Sequence, residues 1–196
     1  MKKIILFLIF LLLFQNCESN DNQNTDNTVQ FTVPATEDII MYEINIGSFS
    51  NQGNINGITA RLDNIKALGI NTIWLMPIHP IGTLNSFGSP YCVKNYREVN
   101  PQLGNLQDLK TLVEQAHLRN IAIIMDWVAN HTSWDNPWIT EHPNWYTQDG
   151  SGTIISPAGT NWSDVADLNF DNAEMRLEMI AAMSFWINEV GIDGFR

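Results

Sequence analysis

An α/β fold, with parallel strands covered by helices, is predicted by three observations. Short apolar runs alternate with segments of helical period from residue 39 onward, the rhythm of repeated βαβ units. The runs are nearly continuous in apolar residues, as in strands buried on both faces. The turn after the first run, "NIGSFSNQGNING" (45–57), lacks both the G-x-G-x-x-G spacing and the Walker lysine that a phosphate-cradling open sheet would carry there. The first two observations admit an open doubly wound sheet or a closed β/α barrel, and the third favours the barrel.

The elements follow in order. "IIMYEINI" (39–46), "TIWLMPI" (72–78) and "IAIIMDWV" (121–128) read as buried strands, and "GIDGF" (191–195) as the start of a fourth. Between the first two, Ile58, Leu62, Ile65 and Leu68 share one helix face, closed by Gly69. Between the second and third, Leu106, Leu109, Leu112, Val113 and Ala116 repeat that period, opened by Asn105 as N-cap with Asp108 in the first turn. Met179, Met183, Trp186, Ile187 and Val190 form the third helix face, ended by Gly191.

Residues 131–171 break the rhythm. Trp134, Trp138, Trp145 and Trp162, four of the seven tryptophans, stand there with Tyr146 among Pro, Asn, Gly and Asp. Loops after barrel strands line the active-site face, and flat rings on a polar loop suit the C–H faces of sugars. At least half of these rings are expected to form the loop's own small core instead.

Ahead of the folded part, Lys2 and Lys3 precede eleven apolar residues, Ile4 to Phe14, the length of a signal-peptide core and short of the roughly 20 residues that span a bilayer. Residues 1–16 read as an export signal. Cys17 follows directly, trailed by "ESNDNQNTDNT", an arrangement that resembles a bacterial lipoprotein signal with Cys17 as the lipidated residue. Residues 17–36 then read as a flexible tether. Export with a lipid anchor at a bacterial outer membrane or cell surface is expected, the alternative being a periplasmic or secreted protein with Cys17 as an incidental thiol. Removing residues 1–16 leaves 8 basic against 21 acidic side chains, a net charge of −13, which excludes nucleic acid as a natural partner and leaves neutral substrates open. Cys92 alone remains in the body, so no disulfide framework is expected within it.

At the end of the third strand "DWVANH" (126–131) brings Asp126, Asn130 and His131 out of an apolar run, where a barrel strand opens into its site. A buried carboxylate there must be paired, and a histidine can bind hydroxyls through either ring nitrogen. His79, in "MPIHP", lies on the same side and reads as loop packing ahead of substrate contact. His117 on the second helix reads as a packed or rim residue, and His142 has no partner at zinc-ligand spacing.

"DWVANH" resembles the D-x-x-x-N-H motif on the third strand of the alpha-amylase family of glycoside hydrolases. Four more segments resemble that family in the right order: "GITARLDNIKALGINTIWLMPI" (57–78), "GSPYCVKNYREVNPQLGNLQDLKTLV" (88–113), "DVADLNFDN" (164–172) and "GIDGFR" (191–196). The resemblance covers roughly residues 38–196 and implies the N-terminal half of a (β/α)8 TIM barrel. Strands 1–3 and helices 1–2 would occupy 37–130, a small B domain 131–171, and the third helix and start of the fourth strand 172–196.

By the same resemblance, Tyr91 stacks on the sugar at the cleaved bond, His131 hydrogen-bonds its hydroxyls, and Asn130 ligates calcium in members that hold it there. Asp126 is implied to support the site toward Arg196, which also faces substrate, and Asp167 to support the site or a metal. The implied function is retaining hydrolysis of α-glucosidic bonds in starch-like glucans or malto-oligosaccharides.

Two departures stand out. Asn95 replaces a frequent aspartate of the family, and the chain ends on Arg196, two residues before the family's nucleophilic aspartate. The acid of the fifth strand and the aspartate after the seventh are likewise implied to lie outside these residues. Glu141, Asp135, Asp149 and Asp164 lie in the third loop, and nothing in their spacing promotes any of them. The 196 residues are therefore expected to be inactive alone and to aggregate or fold loosely. The alternative is an amylase-like protein without catalysis, serving glycan binding or assembly.

Overall fold

A computed structural model of the protein describes residues 31–196, so the export signal, Cys17 and the tether as far as residue 30 lie outside the described residues. Of the stretch expected to be tether, residues 31–36 are described, and most of them are exposed. Phe31 stacks on the ring of His117, with centroids 3.9 Å apart and planes 8° from parallel.

After a 3-10 turn, Thr36–Asp38, the chain forms strand β1, Met41–Ile44, and three short helices, α1 (Ile46–Phe49), α2 (Ile55–Thr59) and α3 (Leu62–Ala67). Strand β2 is Thr72–Leu75, helix α4 Leu106–His117 and strand β3 Ala122–Met125. The insertion contains β4 (His131–Ser133), α5 (Trp138–Glu141), a 3-10 turn (Pro143–Trp145) and β5 (Val165–Asp167). Helix α6, Ala173–Phe185, runs on through a π-helical turn, Trp186–Val190, to β6, Gly194–Phe195.

The parallel sheet has the order β1-β2-β3-β6, so each strand is added beside its predecessor with no reversal. A doubly wound sheet reverses its order at a switch point and is covered on both faces. Here Ile44, Ile73, Leu75, Ile123 and Met125 pack under Ile58, Leu62, Ile65, Leu109, Leu112, Trp186 and Val190, all on one face. Glu43, Trp74, Ile124 and Gly194 are register partners across the strands. Glu43 is exposed and the other three are only partly buried. The strands are thus shorter than their apolar runs, and on this second face Thr72 and Ala122 are buried while Trp74, Ile124 and Gly194 are only partly so. The arrangement is a sector of a barrel.

The helix expected between β1 and β2 is split. The Thr59 hydroxyl donates to the Ile55 carbonyl at 3.3 Å, and the Arg61 guanidinium donates to the Gly57 carbonyl. These side chains compete for acceptors of the first turn, and the Arg61 N–H goes instead to the Ile58 carbonyl at 2.8 Å. Leu68, expected on the inner face, is the C-cap of α3 and is exposed. Helix α4 matches its predicted start: Asn105 accepts from the N–H groups of Gln107 and Asp108, and Asp108 accepts from the Asn105 N–H, a full capping box. In α6 the buried positions are Met175, Met179, Ala182, Trp186 and Val190. The π turn rotates Ile187 out to solvent, against the predicted face. Gly191 ends it with φ +79°, a left-handed conformation in which a Cβ would be strained.

Candidate active site

The site lies where β3 ends. Asp126 takes its N–H to the Leu75 carbonyl, and Trp127 takes its own to the Arg196 carbonyl, so the ends of β2, β3 and β6 are locked side by side. The Asp126 side chain is 2% exposed, and both oxygens are answered. Arg196 Nη1 donates to Oδ1 at 3.3 Å and the Tyr91 hydroxyl donates to Oδ2 at 2.9 Å. Arg196 also lies over the ring of Trp74, 4.7 Å from its centroid, a cation–π contact. Burial, and then the bond to Asp126, push the Tyr91 phenol up from its ordinary value, so it stays a donor.

His131 opens β4. Its Nε2 donates to the Tyr91 carbonyl at 3.2 Å, and its Nδ1 accepts from the Asn130 amide at 3.2 Å. That pattern belongs to a neutral imidazole, and burial pulls its pKa below the usual histidine value, the Tyr91 carbonyl opposing. Asp167 stands opposite His131 in the antiparallel β4–β5 pair, and the Leu168 N–H donates to the Asn130 carbonyl. The six sequence-predicted body residues, Tyr91, Asp126, Asn130, His131, Asp167 and Arg196, are therefore brought to one strand end and the loops beside it.

Above them is a cavity of about 350 Å³ lined by Ser89, Tyr91, His131, Trp162, Asp164 and Val165. The insertion's tryptophans divide as their surroundings dictate. Trp145 is buried, Trp138 packs against Tyr96 and Trp145, and Trp134 donates to the Ser163 carbonyl. Trp162, 47% exposed, meets His131 edge to face with centroids 5.6 Å apart and borders the cavity. Asp164, which its spacing did not single out, is buried in the same wall. The signal that could have found Asp164 is its place as the first residue of the "DVADLNFDN" segment.

The remaining histidines are structural. His79 is buried against Tyr96, Trp127 and Trp186, with Nδ1 3.3 Å from the Glu98 carbonyl. His117 Nε2 pairs with Asp193 at 3.0 Å, and His142 stacks on Trp145. Asn95 makes a local turn, accepting from the Arg97 N–H and donating to Glu98, while Arg97 pairs with Glu178. Cys92 is buried and free. Among the described residues no three His, Cys, Asp or Glu side chains converge as metal ligands. A calcium ion takes six to eight oxygens, with amide and backbone carbonyls among them, and Asn130 would offer one such amide oxygen.

A model of the alpha-amylase catalytic domain matches residues 14–151. Alpha-amylase 3 of Dictyoglomus thermophilum is 32% identical, over 100% of this chain and 41% of that protein. Oligo-1,6-glucosidase of Parageobacillus thermoglucosidasius is 29% identical, over 82% of this chain and 34% of that protein. The crystal structure of an alpha-amylase from Lactobacillus plantarum superposes with a TM-score of 0.76 at 40% identity, covering 81% of this chain and 38% of that one. The chain thus spans about two fifths, or less, of the length of these relatives, and its sheet is the first part of their (β/α)8 barrel. Because the matched stretch runs through the loop of Tyr91 and the strand end of Asp126 and His131, where the cavity is built, the chain belongs to the alpha-amylase family.

Proposed function

We propose that the whole protein is a retaining glycosidase of alpha-amylase type that cleaves α-glucosidic bonds in starch-like glucans. One observation carries the reading: a cavity with tyrosine and tryptophan rings, a buried histidine and an aspartate sits directly beside a carboxylate held by arginine and tyrosine. Rings that offer flat faces and polar groups that count hydroxyls are what a neutral sugar needs.

In this reading Tyr91 and Trp162 provide the stacking surfaces, and His131 and Asp164 take sugar hydroxyls. Asp126 does not attack substrate, because both its oxygens are engaged; it holds Arg196 and Tyr91 in place. Asp167, opposite His131, supports the strand that carries it. Retaining cleavage needs two carboxylates about 5 to 5.5 Å apart, and the family motif places them beyond Arg196. The present residues form the sugar-binding wall and do not cleave alone.

The full-length product incubated with soluble starch is expected to release reducing ends, with the α-anomer as first product by NMR. His131→Ala should lower kcat/KM by about a hundredfold. Sugar binding without hydrolysis of starch, pullulan, cyclodextrin or malto-oligosaccharides would establish the non-catalytic reading instead.

Export and lipidation at Cys17 belong to the same proposal, supported by Lys2, Lys3 and the apolar run Ile4 to Phe14. Fatty-acid labelling that survives in wild type and vanishes in Cys17→Ser tests them. Calcium enters through Asn130, an exposed residue whose amide is one hard oxygen donor, and by the resemblance through Asp167, and no step above depends on the ion.

A further inference from the structure

The loop between β2 and α4 starts as a narrow hairpin. Ile81 and Val93 form an antiparallel bridge, the Gly82 N–H donates to the Cys92 carbonyl at 2.8 Å, and the Lys94 N–H donates to the Pro80 carbonyl at 2.8 Å. Its far limb delivers Ser89 and Tyr91 to the cavity. Between the limbs, Leu84 and Phe87 are exposed, so the tip gains nothing from a core of its own.

Besides the Tyr91–Asp126 bond, what holds the hairpin comes from the insertion, 40 or more residues away in sequence. The Ser133 N–H donates to the Val93 carbonyl at 2.9 Å. Asp135 takes more: the Thr83 N–H at 3.1 Å, the Thr83 hydroxyl at 3.1 Å and the Lys94 ammonium at 3.1 Å, all on Oδ2. The fit is close enough to need Gly82. A Cβ there would lie 2.2 Å from Ser133 Cβ and 2.5 Å from Asp135 Oδ1. Burial opposes ionisation of Asp135, yet the bonds from Thr83 and Lys94 prevail and hold its carboxyl down at about 2, so the charge is present at any working pH.

We infer that Asp135 is the positioning residue of the sugar cleft: by pinning Thr83 and Lys94 to the insertion it fixes the hairpin that carries Tyr91. The Tyr91 carbonyl in turn takes the His131 Nε2–H, so one clamp orients two of the side chains that face the sugar. The inference rests on the cavity being the sugar site, as proposed above. Without the clamp the hairpin tip is less restrained and samples other positions, and affinity falls by the fraction of molecules that are competent to bind. Once sugar is bound the hairpin is back in place, so the chemical step is unaffected.

The test uses the full-length protein with maltoheptaose. Asp135→Ala should raise KM about tenfold with kcat within about twofold, and Asp135→Asn, which keeps an acceptor for Thr83 and loses the Lys94 pair, about threefold. Amide hydrogen exchange in residues 83–91 should speed up about tenfold in Asp135→Ala without sugar. Asp149→Ala, whose carboxylate among the described residues bonds within its own turn, to Ser151 and Thr153, should change neither. An unchanged KM in Asp135→Ala, or equal losses of kcat and thermal stability with no KM rise, overturns the role. A wild type inert toward every α-glucan would overturn the reading of the cavity and this role in sugar binding with it, while the exchange measurement would still decide whether the clamp exists.

Discussion

Placing a carboxylate at 2% exposure costs several kcal/mol unless its oxygens are answered, which makes the two bonds to Asp126 the most consequential of the site. Tyr91→Phe keeps the ring against the cavity and deletes the donor to Oδ2. Since hydrogen bonds to charged groups contribute about 1.5–3 kcal/mol and Tyr91 is only partly buried, a loss of about 1–2 kcal/mol is expected in a urea titration. His79 makes a different prediction. Burial holds its pKa down at about 4, against 6.5 for an open histidine, with the Glu98 carbonyl opposing. The unfolded chain therefore binds the extra proton first as pH falls. The stability involved is fully present above about pH 6.5 and is lost on the way down to about pH 4, at most ~3 kcal/mol. His79 Nε2 has no hydrogen-bond partner among the described residues, so His79→Phe should leave the melting temperature near its value at pH 7 and flatten the decline between pH 6.5 and 4. The sequence placed His79 at the site side of β2 but could not show three aromatic rings closing around it from residues 17 to 107 positions away.

At the scale of elements, what was legible depended on whether the deciding bond was local. The N-terminus of α4 was read correctly because Asn105 and Asp108 answer each other three residues apart, and Asp108 Oδ1 further accepts from Asn56 at 3.0 Å. Asn105→Ala should cost about 1 kcal/mol in thermal or urea unfolding. The break between α2 and α3 and the π turn after α6 were not readable, because apolar spacing is insensitive to a carbonyl captured by a side chain or to one added residue per turn. The same holds for the site. "DWVANH" placed Asp126, Asn130 and His131 on one strand end, since three to five residues of extended chain leave little freedom. Trp162 and Asp135 depend on how a long insertion folds back, and single-residue spacing carries no record of that.

For the whole molecule, the sheet's two edges and one helix face decide how the 196 residues behave as an isolated chain. Ile40, Met41 and Tyr42 are exposed at β1, an edge strand of the described sheet, and Leu177, Ile180 and Ile187 line the outer side of α6 and its π turn. Unpaired strand edges and contiguous apolar stripes promote association. Against them stands the net charge of −11, whose repulsion reaches only about 10 Å at 0.1 M salt. The isolated chain should therefore scatter light increasingly with both protein concentration and added salt, where a charge-driven aggregate would dissolve. Replacing Leu177, Ile180 and Ile187 together by Glu should lower the scattering and leave the far-UV circular dichroism intact, because none of the three belongs to the buried core. A soluble wild-type monomer at high salt with a sharp cooperative melt would show instead that these surfaces are not adhesive and that the sector folds as a unit.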